Sequence, residues 1–122
     1  MPSAIVIDDN RQTADFTCKM LNLLGVQTRA AYGPRNALFL LRESLPDIIF
    51  LDINMPGVDG FEVLGFLQRE PNLKTIPVVI VTSDDQPETA QKAHRTGALL
   101  TLIKPVNMET LERVLRTTKL IS

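Results

Sequence analysis

Residues 47–60 read DIIFLDINMPGVDG, an apolar run that stops at Asp52 and breaks into a Pro/Gly turn. Ile48, Ile49, Phe50 and Leu51 show no polar alternation, which predicts a strand buried on both faces, as in the centre of a parallel sheet. Asp52 falls where that strand leaves the sheet. Open α/β sheets bind their ligands at the carboxyl ends of their strands, so this carboxylate is the first candidate for chemistry.

The same pattern recurs on either side. Ala4–Ile7 is a short apolar run ending in Asp8 and Asp9, and Val78–Val81 is another ending in Thr82, Ser83, Asp84 and Asp85. Weaker strands are expected at Val26–Ala31 and Ala98–Ile103, the latter closed by Lys104-Pro105. Helical spacing fills the intervals. Phe16, Met20, Leu23 and Leu24 form a stripe, joined on the same side by Cys18 and Leu21 and stopped by Gly25, and Ala37, Leu38 and Leu41 follow Gly33-Pro34. Phe61, Leu64 and Leu67 follow Gly60, and Met108, Leu111, Val114 and Leu115 form the last stripe. A helix near residues 87–96 is predicted from Pro87 and the capping-box spacing of Asp85 and Glu88. Its inner face offers only the small residues Ala90, Ala93 and Gly97, so it should be the least firmly anchored element.

Five strands alternating with five helices predict an α/β fold, a doubly wound parallel sheet with right-handed crossovers and helices on both faces. The strand order expected is 2-1-3-4-5, in which the first and third strands are neighbours where the winding reverses. Asp8, Asp9 and Asp52 would then converge in one crevice.

The chain has 122 residues, 44% hydrophobic and 22% charged, enough for one compact domain over 1–122 without disulfides. A formal charge of -1 with scattered Lys and Arg argues against nucleic-acid binding by this domain. There is no apolar run of the ~20 residues that a membrane span requires. The start, MPSAIVIDD, lacks the basic region of a signal peptide, so a soluble, cytoplasmic protein is expected. The single Cys18 sits among apolar helical positions and is read as a packing residue.

Three carboxylates in one crevice repel one another, and without a cation at least one should have a raised pKa. A hard divalent ion resolves this, and oxygen ligands with retained waters describe Mg²⁺. Asp9 and Asp52 are the expected direct ligands. Asp8 would act through water, and the backbone carbonyl of Asn54 is close enough along the chain to add a further oxygen. Thr82 and Lys104, at the ends of the last two strands, lie on the same sheet edge. One can donate a hydrogen bond to a phosphoryl oxygen and the other can neutralise it. With a carboxylate as nucleophile, the set makes an electrostatic clamp for phosphoryl transfer.

These residues carry a resemblance. The pair Asp8-Asp9, the block LDINMPGVDG at 51–60, Thr82, and Lys104-Pro105 resemble, in order and spacing, the motifs of the receiver domain of two-component response regulators. The AAYGPRNAL segment at 30–38 is similar to that family's second-strand exit. The match covers the whole chain, and the 2-1-3-4-5, flavodoxin-like order rests partly on it. The resemblance implies that Asp52 accepts a phosphoryl group from a sensor histidine kinase or histidine phosphotransfer protein. It implies Mg²⁺ on Asp9, Asp52 and the Asn54 carbonyl, Thr82 and Lys104 on the phosphoryl oxygens, and a cis peptide before Pro105. The implied role is a regulatory phosphoacceptor rather than an enzyme, one that promotes its own phosphorylation and dephosphorylation and signals to a downstream effector. The resemblance also allows a homodimer on activation. Thr101 stands where many receivers carry a Tyr or Phe that swings inward with the threonine, so the usual aromatic switch is not expected. The end at Ser122 fits either a stand-alone receiver or part of a longer protein.

Other readings fit less well. A phosphohydrolase of the haloacid dehalogenase type needs a second Asp two residues after the nucleophile, where this chain has Asn54. A flavodoxin-like cofactor binder needs Gly, Ser or Thr after the first strand, where acids would repel a bare anion. An interaction module that keeps the site without using it is compatible with Thr101. His94 is expected on a solvated face, Tyr32 as packing at the second-strand exit, and Met20 and Met108 at helix core positions. Met55 is a candidate shield for the aspartyl site.

Overall fold

The computed structural model describes residues 1–122. Strands β1 (Ser3–Ile7), β2 (Gln27–Ala31), β3 (Ile48–Asp52), β4 (Val78–Thr82) and β5 (Leu100–Ile103) alternate with helices α1 (Arg11–Leu23), α2 (Pro34–Glu43), α3 (Gly60–Arg69), α4 (Pro87–Thr96) and α5 (Met108–Thr117). All strand pairs are parallel, in the order β2-β1-β3-β4-β5.

Continuous apolar runs are required because successive side chains of a strand enter different layers. Ile5, Ile7, Ile49, Leu51 and Ile80 pack with α2, α3 and α4 through Ala37, Leu41, Leu64, Leu67 and Ala93. Ala4, Val6, Ile48, Phe50, Val79 and Val81 pack on the opposite side with Met20, Leu21, Leu111 and Leu115 of α1 and α5. Each large buried side chain contributes about 1.5–3 kcal/mol. Every residue of β3 and β4 is buried, which makes these two strands the rigid centre.

Local signals fix most helix ends. Asn10, Asp59 and Asn107 accept hydrogen bonds from backbone N–H groups in the first turns of α1, α3 and α5. Gly25, at φ 88°, ends α1 in a Schellman turn, with its own N–H on the Asn22 carbonyl and the Val26 N–H on that of Leu21. Val26 therefore belongs to the helix exit rather than to β2. At Gly60 a Cβ would lie 2.5 Å from the Ile53 Cα, so only glycine lets α3 start this close to the loop after β3.

Several expectations are corrected. Phe16 and Leu23 of α1 are 61% and 79% exposed, and the buried positions are Ala14, Thr17, Met20 and Leu21. Small residues let α1 approach the sheet, which rotates the larger apolar ones outward. Met108, at the first turn of α5, is likewise exposed. In α4 only Ala93 is buried, while Ala90 and Gly97 face solvent. With Pro87 as the first helical residue, Gln86 becomes the N-cap and Asp85 lies outside reach, so no capping box forms. Asp84 takes that role. Its Oδ1 accepts from the Gln86 N–H (2.9 Å) and its Oδ2 from the Thr89 hydroxyl (2.5 Å). Ala98 and Leu99 precede β5 rather than belonging to it.

Candidate functional site

The parallel register sets Ile7 beside Leu51, so the next residue of each chain segment, Asp8 and Asp52, stands at adjacent strand ends. Both are buried, at 3% and 4% exposure, whereas Asp9 is exposed. One carboxylate oxygen from each of Asp8, Asp9 and Asp52 lies within 4.8 Å of the others.

The two buried carboxylates are held in the same way. Asp52 Oδ1 accepts from the Asn54 N–H and Asp8 Oδ1 from the Asn10 N–H, both at 2.9 Å. Their other oxygens face one ammonium, with Lys104 Nζ 3.2 Å from Asp52 Oδ2 and 3.5 Å from Asp8 Oδ2. The Lys104 backbone N–H bonds the Thr82 carbonyl at 2.8 Å, which ties its segment to the end of β4, and the Lys104-Pro105 peptide is cis. The ammonium thus pairs with two of the three acids, Asp8 and Asp52. Burial, and then the Asp52 charge beside it, raises the pKa of Asp8, while the Asn10 N–H and Lys104 pull it down. A crowded, all-oxygen donor set with surplus negative charge fits a hard divalent ion such as Mg²⁺ better than a soft metal.

Thr82 is fully buried, and its hydroxyl donates to Asn54 Oδ1 at 2.6 Å. That amide oxygen also accepts from the Ser83 N–H at 2.9 Å. The Thr82 oxygen in turn accepts from the Asp84 N–H at 3.0 Å. Sequence reasoning assigned Asn54 only a backbone role, and it missed the side chain, which ties the β3–α3 loop to the end of β4. It also missed Ser83 and Asp84 as partners. The hydroxyl-acid run after Val81 was the one available signal.

Beside the acids, a cavity of about 640 Å³ opens between α1 and the Pro105 loop, lined by Gln12, Phe16 and Val106 among others. The remaining candidates lie elsewhere. Met55 is buried in the apolar layer of α2 and α3 rather than over Asp52. His94 is exposed on α4, and Thr101 is half-buried in β5. Tyr32 donates its hydroxyl to Asp15 Oδ1 at 2.7 Å beneath the Arg11 guanidinium, and that hydrogen bond raises its pKa. Cys18 is half-buried, and burial raises its pKa as well. No helix is long and apolar enough to cross a membrane.

The family model described as the response regulator receiver domain matches residues 4–116. PilH of Pseudomonas aeruginosa is 34% identical, over 91% of this chain and 92% of PilH. The regulatory protein AtoC of Escherichia coli is 31% identical over 92% of this chain, which corresponds to 24% of that longer protein. Among solved structures, the signal receiver domain of a DNA-binding response regulator from Colwellia psychrerythraea superposes with a TM-score of 0.90, at 28% identity, covering 99% of this chain and all of that one. Chemotaxis protein CheY4 of Vibrio cholerae gives 0.89 at 29% identity, covering 97% and 98%. The chain therefore belongs to the response regulator receiver domain family of two-component systems.

Proposed function

We propose that this receiver domain, residues 1–122 acting as one unit, is switched by phosphorylation of Asp52. The observation that carries the reading is the pair of buried carboxylates at the ends of β1 and β3 sharing the Lys104 ammonium. A buried carboxylate anchored by a backbone N–H on one oxygen presents the other in a fixed direction, as a nucleophile requires.

The donor is a phosphohistidine on a sensor kinase or phosphotransfer protein. An Asp52 oxygen attacks phosphorus, the P–N bond breaks, and its electron pair stays on the imidazole nitrogen, which takes up a proton from solvent. The product is an aspartyl phosphate. Lys104 follows the negative charge from the carboxylate to the phosphoryl oxygens. Asp8, Asp9, Asp52 and the Asn54 carbonyl would hold Mg²⁺, which when bound offsets the charge on the phosphoryl oxygens. Thr82 turns its hydroxyl from Asn54 to a phosphoryl oxygen. The Asn54 amide oxygen is committed to Thr82 and Ser83 and supplies no acid two residues after Asp52. This disfavours a self-sufficient phosphohydrolase. A downstream effector then reads the changed surface, in the cytoplasm where such kinases present their phosphohistidine.

Intact-mass measurement with acetyl phosphate and Mg²⁺ tests the reading. The wild-type chain is expected to gain one phosphoryl group and Asp52→Ala none. No gain on wild type, or an equal gain on the variant, would overturn it.

A further inference from the structure

We infer that Asp84 and Thr89 form the clamp through which the state of Asp52 reaches α4, with the Thr82 hydroxyl as its moving part. The inference rests on the reading of Asp52 as phosphoacceptor and adds the route by which the signal leaves.

Thr82 has one hydroxyl proton and is fully buried, so it must donate to a protein or ligand acceptor rather than to bulk water. In this structure the acceptor is Asn54 Oδ1. Donation to a phosphoryl oxygen on Asp52 excludes donation to Asn54, which gives the hydroxyl two discrete positions. The change is inexpensive at Asn54, because its amide oxygen keeps the Ser83 N–H. It is felt at Asp84. The Thr82 oxygen is the acceptor for the Asp84 backbone N–H, so a displaced hydroxyl either draws Asp84 with it or releases it.

Asp84 is also the side chain that secures the start of α4. Gln86, the N-cap residue, makes no capping bond with its own side chain. The Asp84 carboxylate instead accepts from the Gln86 N–H and the Thr89 hydroxyl. These bonds to the ionised form hold the Asp84 carboxyl below the usual carboxylate range, led by the one from Thr89. The helix they secure has one buried residue, Ala93, so little packing resists a shift of its first turn. A continuous line of hydrogen bonds therefore runs from Asn54, in the loop after β3, through Thr82 at the end of β4 and Asp84 to Thr89 in the first turn of α4. No residue of β5 takes part. This matches a chain whose β5 carries Thr101, which has no ring to swing.

The test separates the clamp from phosphorylation itself. Thr89→Val keeps the side-chain shape but removes the donor, and Thr89→Ser restores it. Each protein is loaded with beryllofluoride and Mg²⁺, where beryllofluoride stands in for the phosphoryl group, and amide exchange across residues 87–96 is followed by mass spectrometry. The wild-type chain is expected to change its exchange there on loading. Thr89→Val is expected to accept phosphoryl from acetyl phosphate as wild type does, while its α4 response falls by about half or more, and Thr89→Ser is expected to retain the response. A full response in Thr89→Val, or equal loss in both variants, overturns the clamp and leaves Asp52 untouched as the phosphoacceptor. A wild-type chain that takes up neither phosphoryl nor beryllofluoride overturns both.

Discussion

The two central strands and the α4–β5 edge are neighbours in one sheet, yet they are anchored by different means. Every residue of β3 and β4 is buried between two helical layers. Beyond them β5 has no fully buried residue, and α4 has one. Asp52 ends the first of these regions, on a platform that deforms little. In α4, next to it, one residue is buried and the first turn is tied down by hydrogen bonds to the Asp84 carboxylate, so less packing resists a shift there. The contrast puts Asp52 at the end of a fully buried strand and a lightly packed helix within a few residues of it.

The largest test of that contrast is Phe50→Ala, which empties a fully enclosed site under the crevice. It is expected to cost about 3–5 kcal/mol in global stability by urea denaturation. A loss below about 1 kcal/mol would mean that the centre is not the rigid half.

A smaller effect is expected from Asp8→Asn. The Asp8 pKa is raised in the folded protein, so the native state holds that proton more tightly than the unfolded chain. Its favourable contribution is present below the ordinary value of 3.8 and is lost as pH rises through the raised one. At neutral pH without metal, Asp8→Asn should therefore raise Tm by a few degrees. Mg²⁺ should raise the Tm of wild type more than that of the variant, since it binds the folded acids. A lower Tm in metal-free Asp8→Asn would show that the acids are not in conflict.

The smallest effect should come from Ala90→Gly on the exposed face of α4. It is expected to cost about 1 kcal/mol, seen as faster amide exchange confined to α4. Faster exchange spreading into β3 would erase the distinction between the two regions.

The strands and the acid cluster were legible in the sequence for the same reason. A strand buried on both faces cannot alternate, so its end is marked where the apolar run meets Asp8, Asp52 or Thr82. The helix faces were less legible. In α1 the expected stripe is right at Met20 and Leu21, which are buried, and wrong at Phe16 and Leu23, whose places at the sheet are taken by the smaller Ala14 and Thr17. The packing that chose between them involves α5, far away in sequence. The bond between Asn54 and Thr82 joins residues 28 apart, and no local spacing announces it. Asp84 was hidden by its neighbour Asp85, because the exact start of α4 depends on Pro87 taking the first helical position.

The central claim, that Asp52 carries the phosphoryl group, is tested most directly by borohydride trapping after incubation with acetyl phosphate and Mg²⁺. Reduction of an acyl phosphate leaves an alcohol, so peptide sequencing by mass spectrometry should find homoserine at position 52 and intact aspartate at positions 8 and 9. Homoserine at either of those positions, or at none, would contradict the account.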